Sequence, residues 1–239
     1  MRAGTYQERR GELLTYFDRT AVEAWKRLTS DAPVSGIRAT VRAGRETMRA
    51  TLLEWLPADL SGRRLLDAGC GTGAFAVAAA ARGADVVAVD LSPTLIGLAR
   101  ERAEAHRVLG RIEYRAGDML DPTLGDFDHV VAMDSLIHYR AQDVARALAA
   151  LASRTRASIL FTFAPRTPAL SVMHAVGRLF PRGDRAPAIE PVGGRQLARL
   201  IAGESGLSGW RQGRTKRVSR GFYTSQAQEL VRDKGDRAG

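Results

Sequence analysis

The chain has 239 residues, 45% hydrophobic and 26% charged, so it can bury about 70% of its unfolded surface without disulfide staples. Its single cysteine, Cys70, excludes a disulfide framework and a cysteine-based zinc site, and no apolar run reaches the roughly 18 residues of a membrane span. Thirty-three arginines and three lysines against 26 acidic residues give a net charge of +10, and the excess lies between Arg140 and Arg220, where 15 basic residues meet 4 acidic ones. That concentration anticipates an anionic partner (nucleic acid, a membrane surface or an acidic substrate), against the plainer reading of a solvated arginine-rich face.

The first segment, MRAGTYQERRGELL, lacks the apolar stretch of a signal peptide, so a reducing, cytoplasmic setting is expected. Residues 5–30 carry Leu13, Leu14, Phe17, Val22, Trp25 and Leu28 at amphipathic helical spacing. After a break at SDAPVSG, a second helix is predicted from about Ile37 to Leu56, stopped by Pro57. Both precede any strand, so residues 1–57 are expected to cap a main domain of residues 58–239. From Arg63 strands and helices alternate. RRLLDAG is a strand, FAVAAAARG a helix closed by Gly83, and ADVVAVD a buried strand. A helix follows with Ser92 at its N-cap and Pro93 at its first turn. RIEYRAGD, DFDHVVAMD and ASILFTFAP are the next strands, with a helix at DVARALAALASR. A Pro- and Gly-rich stretch, 165–194, occupies the position of an insert. A helix near Gly194–Gly203 and two late strands, around GWRQGRTKR and VSRGFYTSQ, complete a Rossmann-like, doubly wound, mostly parallel seven-stranded α/β sheet.

The most informative motif is Asp67-Ala-Gly69-Cys-Gly71-Thr-Gly73, between a strand and a helix. Glycines there let the backbone approach a ligand and take turns that a Cβ forbids. Asp90 ends the second strand, where a carboxylate can accept both ribose hydroxyls. Gly69, Gly71 and Ala74 also satisfy a loose nicotinamide-dinucleotide fingerprint, so the loop alone is ambiguous. Asp67 two positions before the first glycine, and Gly117-Asp118-Met119 after the third strand, favour S-adenosylmethionine, the carboxylate facing the adenine amino group and the thioether beside the ring. DFDHVVAMDSLIHY resembles the post-loop motif of class I methyltransferases. The expected cofactor-binding set is Asp67, Gly69, Cys70, Gly71, Gly73, Asp90, Leu91, Asp118, Met119 and Met133. Cys70 reads as a small filler in the turn. Met133-Asp134-Ser135-Leu136-Ile137-His138 lacks the Pro-Pro-aromatic segment of base-N-methylating enzymes, and there is no paired-cysteine nucleophile, which counts against a nucleic acid as acceptor.

YFDRTAVEAWKRLTSD, LLDAGCGTG, DSLIHY and FTFAPRTPALSVMHAVGRLFPRGDRAPAIEPV together resemble the magnesium-protoporphyrin IX O-methyltransferase family of bacteriochlorophyll and chlorophyll biosynthesis. The resemblance implies methyl transfer to one propionate of magnesium-protoporphyrin IX, with S-adenosylhomocysteine and the monomethyl ester as products and no protein-bound metal. It implies His138 and an N-terminal tyrosine, here Tyr16, as catalytic residues. It also implies the large subunit of magnesium chelatase as a source of substrate and peripheral contact with the photosynthetic membrane. The propionate is ionised at pH 7 and needs positioning more than deprotonation. Arg166, Arg178, Arg182 and Arg185 are expected to pair with the second propionate through bidentate guanidinium contacts, with His174 facing the macrocycle. His106 and His129 have no patterned partner. The alternatives are an O-methyltransferase for another small amphipathic acceptor such as a quinone precursor, a nucleic-acid methyltransferase, and a non-catalytic adenosylmethionine-binding protein.

Overall fold

The computed structural model describes residues 6–15, 36–106, 108–166 and 189–233. Among them run strands β1 (Arg64–Ala68), β2 (Asp85–Asp90), β3 (Arg111–Ala116), β4 (Phe127–Ala132), β5 (Thr155–Phe163), β6 (Trp210–Arg220) and β7 (Tyr223–Arg232). They form one sheet in the order β3-β2-β1-β4-β5-β7-β6. The first five are parallel to one another; β7 is antiparallel to both β5 and β6. The order reverses between β1 and β4, which pair directly, so the crevice for a ligand opens beyond their carboxyl ends.

The central strands are buried on both faces, which is why VVAV reads as an unbroken apolar run and LLDA as one broken only by the buried Asp67. On one face α5 (Ala141–Ala152) and α6 (Gly194–Gly203) pack Leu148, Leu151, Leu197 and Ile201 against Leu66, Val130 and Phe161. Leu13 of α1 (Tyr6–Thr15) joins that cluster. On the other face α2 (Gly36–Trp55), α3 (Ala74–Ala80) and α4 (Pro93–Glu104) bring Met48, Leu52, Phe75 and Ile96 onto Leu65, Val86 and Leu160. The cap predicted for α4 is present: the Leu95 N–H donates to Ser92 Oγ at 3.2 Å, with Pro93 in the first turn, an arrangement worth about 1 kcal/mol.

The late strands differ from their expected positions. The chain does not break after Arg217; β6 runs on to Arg220 and turns through Gly221 and Phe222 into β7, which continues to Arg232. A two-residue hairpin needs a left-handed residue, and Gly221, at φ +55°, supplies it. Val218 and Tyr223 are both buried on the α2 side, which holds the register. Tyr6–Thr15 is helical as predicted; the rest of that segment, with Phe17, Val22, Trp25 and Leu28, lies outside the described residues.

Candidate active site

β1 ends in the glycine loop. The N–H groups of Gly69 and Cys70 both donate to the Val89 carbonyl, at 2.8 and 2.9 Å, which bends the chain back over the end of β2. Gly69 (φ +82°) and Gly73 (φ +77°) are left-handed, and each faces a neighbour. A Cβ on Gly69 would stand 2.3 Å from Ser135 Cβ, and one on Gly73 would stand 2.8 Å from Tyr114 Oη. Asp90 accepts from the Gly71 N–H at 2.8 Å and from the Ser92 N–H at 3.0 Å, one bond to each oxygen. A carboxylate has about four acceptor sites, so Asp90 keeps capacity on both oxygens. Burial, outweighing these backbone donors, raises its pKa. Asp67 is buried with Oδ2 unpartnered. Burial first, and then the nearby Asp90, push its pKa up to about 7, with the Ala76 N–H and Arg45 opposing. Burial also pushes the Cys70 thiol well up, so it is not a thiolate nucleophile.

The end of β3 is engaged by the first helix. Asp118 Oδ1 accepts from the Tyr6 hydroxyl and the Leu120 N–H, each at 2.9 Å, and Oδ2 pairs with Arg10 at 2.7 Å. The Tyr6 ring stacks on Tyr139 with centroids 4.9 Å apart. Burial raises the pKa of both phenols, that of Tyr139 to about 12. Arg9 spans the next gap, its Nε donating to the His138 carbonyl at 2.9 Å and its Nη2 pairing with Glu190 at 3.0 Å. The Glu190 N–H in turn donates to the Ile137 carbonyl at 2.8 Å. His138 closes a short 3-10 turn, Leu136–His138, and is buried.

Between β4 and that turn lies Asp134, the one non-glycine residue with a left-handed backbone (φ +54°) among the described residues. Such a conformation costs on the order of 1 kcal/mol and persists only where the surroundings impose it. Here they do. Arg45 Nη1 (2.9 Å), Thr162 Oγ1 (3.1 Å), Tyr223 Oη (3.1 Å) and Ser225 Oγ (3.2 Å) all donate to its carboxylate, while its own N–H donates to Thr162 Oγ1 at 2.7 Å. The adjacent Ser135 Oγ is buried without a partner.

Gly69, Gly71, Asp90, Leu91, Asp118, Met119, Met133 and His138 line a single cavity of about 80 Å³. Asp67 and Cys70 line a larger one of about 660 Å³, which shares Gly69, Gly71, Arg45 and Met133 with the first. Gly73 lines neither and instead receives Tyr114 and Ala99. Arg166 is exposed beside a separate cavity of about 290 Å³ with Phe163, Leu197 and Arg217. Tyr16, His174, Arg178, Arg182 and Arg185 lie outside the described residues. Tyr6, Arg45, Asp134 and Tyr139 line the smaller cavity without having been anticipated. Asp134, the last residue of a predicted strand at the sheet's carboxyl edge, carried the clearest signal. Of the remaining histidines, His129 is buried against Ser158 (2.8 Å) and His106 is exposed. Among the described residues no group of three or more His, Cys, Asp or Glu is placed to hold a metal ion.

A reversed-order parallel sheet with β7 inserted antiparallel between β5 and β6, and a glycine loop opening onto carboxylates at the ends of β1, β2 and β3, defines a class I S-adenosylmethionine-dependent methyltransferase. A methyltransferase-domain model matches residues 65–157, and a model of the magnesium-protoporphyrin IX methyltransferase C-terminus matches residues 132–232. The chain belongs to the magnesium-protoporphyrin O-methyltransferase family. It is 50% identical over 225 residues to the magnesium-protoporphyrin O-methyltransferase of Rhodobacter capsulatus, covering 94% of this chain and 97% of that one. Identity to the Synechocystis enzyme of the same name is 31%, covering 91% and 94%. The crystal structure of the Synechocystis magnesium protoporphyrin IX methyltransferase with bound S-adenosylhomocysteine superposes with a TM-score of 0.82 at 27% identity, over 93% of this chain and 99% of that one.

Proposed function

We propose that this protein transfers a methyl group from S-adenosylmethionine to a propionate carboxylate of magnesium-protoporphyrin IX, giving the monomethyl ester and S-adenosylhomocysteine in bacteriochlorophyll biosynthesis. The observation that carries this reading is the 50% identity running through 94% of the chain, acceptor half included. The bound donor supplies an electrophilic methyl group on a sulfonium sulfur.

The residues present fit that donor. Asp67 Oδ2 and Ser135 Oγ are buried polar atoms without partners beside the glycine loop, a costly condition that an ammonium and a carboxylate arriving there would relieve. Gly69, Cys70, Gly71 and Gly73 form the turn that admits the donor, with Gly73 acting through its packing on Tyr114. The spare acceptor capacity of Asp90 suits a ribose diol, with Leu91 beside it. Asp118 and Met119 flank the adenine, and Met133 the sulfonium end.

His138 orients the acceptor carboxylate and takes its proton should it enter protonated. Tyr16 is assigned the second catalytic role. Arg166, with Arg178, Arg182 and Arg185, holds the other propionate, and His174 faces the macrocycle. Residues 1–57 act as a cap and 165–194 as an acceptor insert on the 58–239 domain, excluding water where carboxylate and sulfonium charge are lost together.

No helix among the described residues is long and apolar enough to cross a membrane. The protein works in the cytoplasm and touches the photosynthetic membrane peripherally, a reading supported by exposed Phe222 at the β6–β7 turn next to Arg220. It takes its substrate from the large subunit of magnesium chelatase. Incubation with magnesium-protoporphyrin IX and S-adenosylmethionine yields the monomethyl ester, read by chromatography; a clean preparation that binds the donor but forms no ester overturns the assignment.

A further inference from the structure

The Asp134 cluster gathers four side chains from three parts of the chain onto one carboxylate. Arg45 comes from α2, Thr162 from β5, and Tyr223 and Ser225 from β7. Every donor but Arg45 falls within the stretch that matches the family's C-terminal model. Four donors exceed what a surface turn needs, and the Asp134 side chain is only 4% exposed. The Tyr223 ring is fixed as well, because it lies against Gly44, where a Cβ would stand 2.4 Å from it. What the cluster holds is the segment that walls the donor cavity on one side. Met133 precedes Asp134 and lines both cavities; Ser135 follows it and meets Gly69; His138 closes the turn.

We infer that Asp134 is a positioning residue for methyl transfer: its carboxylate, locked by Arg45 and Tyr223, fixes the Met133–His138 segment against the glycine loop. This deepens the reading proposed above and rests on it. Positioning of this kind acts on the barrier, because a reacting pair misplaced by a fraction of an ångström loses rate while the donor still binds through the glycine loop, Asp90 and Asp118. Arg45 adds a second consequence. It stands where the two cavities meet, and pairing with Asp134 sets the direction of its guanidinium there.

The test separates the carboxylate from the turn. Asp134→Gly accepts the left-handed backbone more readily than aspartate does but deletes the carboxylate. Asp134→Asn keeps the shape and tolerates that backbone but loses the charge. Tyr223→Phe keeps the ring on Gly44 and removes the hydroxyl's hydrogen bond, shared between the two carboxylate oxygens. Initial rates with magnesium-protoporphyrin IX and S-adenosylhomocysteine affinity by calorimetry are measured for each. The expected order of kcat is wild type, then Asn and Phe, then Gly, with the Gly variant down by about ten- to a hundredfold. KM for the donor and affinity for S-adenosylhomocysteine stay within about threefold, a difference of under 1 kcal/mol. A Gly variant with wild-type kcat, or losses of kcat matched by equal losses of S-adenosylhomocysteine affinity, overturns the inference. If the Gly variant does not fold, Asn and Phe variants at wild-type kcat overturn it alone. A wild-type protein that binds S-adenosylhomocysteine but forms no ester refutes the assigned function instead.

Discussion

The Tyr6 hydroxyl donates to Asp118 at 2.9 Å across 112 positions of sequence, tying the first helix to the end of β3. The carboxylate assigned to the adenine is therefore also the anchor of the element above it. Two further contacts, Arg10 with Asp118 and Arg9 with the His138 carbonyl, extend the same attachment, so α1 bridges the loop after β3 and the turn after β4.

Loosening that attachment speeds exchange of the donor. Tyr6→Phe gives up one hydrogen bond to a charged acceptor, worth about 1.5–3 kcal/mol where fully expressed, and Arg10→Ala adds little because its pair with Asp118 is partly exposed. Stopped-flow measurement of S-adenosylhomocysteine release from Tyr6→Phe is expected to show an off-rate raised about tenfold. An unchanged off-rate means that the helix does not restrain the ligand.

With the donor's ammonium beside Asp67, as proposed, donor binding is expected to be coupled to a proton. Its carboxyl titrates near 7 because of burial and Asp90, so below that pH it is mostly protonated in the free protein. A cationic ammonium beside it favours the ionised form, lowers the pKa, and expels the proton. Calorimetry of S-adenosylhomocysteine binding near pH 6.5, in buffers of different ionisation enthalpy, should show release of up to one proton, falling to none above pH 8. Asp67→Asn abolishes the release at every pH.

The same residue sets a pH dependence of stability. A carboxyl whose folded pKa lies above its unfolded value of 3.8 contributes most below the lower value and loses that contribution as pH rises to the upper one. The free protein therefore gives up stability from Asp67 between about pH 4 and 7, and Asp67→Asn, which cannot ionise, is the more stable form at pH 8. Thermal melts of the two proteins, compared at pH 5 and pH 8, measure the difference; equal melting temperatures at pH 8 contradict it.

His138→Gln removes a group proposed to orient an already ionised carboxylate and is expected to lower kcat by about a hundredfold, the scale of loss that a misplaced reacting pair produces. S-adenosylhomocysteine affinity should stay near wild type, since Asp90 and Asp118 remain. A variant retaining more than half of wild-type kcat removes His138 from the chemistry.

In the C-terminal hairpin, Glu229 is buried and takes two side-chain contacts and one backbone contact from Arg214 and its N–H, at 2.6–3.0 Å. Burial alone would raise its pKa, but Arg214 prevails and holds it below the usual value. Arg214→Ala leaves that carboxylate with only the residue-214 N–H and without its guanidinium, and is expected to cost about 2–3 kcal/mol at pH 7. The loss shrinks as pH falls below about 4.5 and Glu229 protonates. Urea unfolding at pH 7 and pH 4 measures both.

Local signals were the legible ones. Ser92-Pro93 announced its helix because cap and first turn sit side by side in the chain, and the alternation of apolar strands and helices fixed the order up to β5. The hairpin turn was misplaced because VSRGFY contains a continuous strand pattern on either side of Gly221, and only the pairing of Arg220 with Tyr223 settles where the chain reverses. Cavity-lining residues were legible where glycine or carboxylate ends a strand. Asp134 had that strand-end signal too, but its role and that of Tyr6 were not legible, because both come from partners 89 and 112 positions away. The basic excess also reads differently in place. Arg154 is buried and donates to the Asp121 and Met119 carbonyls beneath the Phe127 ring, and Arg214 serves Glu229, so part of that charge braces the sheet.

Gly69 and Ser135 come from loops 66 positions apart, yet they share one small volume, with 2.3 Å between Ser135 Cβ and the place a glycine side chain would begin. Gly69 cannot gain a methyl group unless Ser135 withdraws. In a library randomised at both positions, a larger residue at 69 should survive only beside a smaller one at 135. The two would drift through sequence space as a pair.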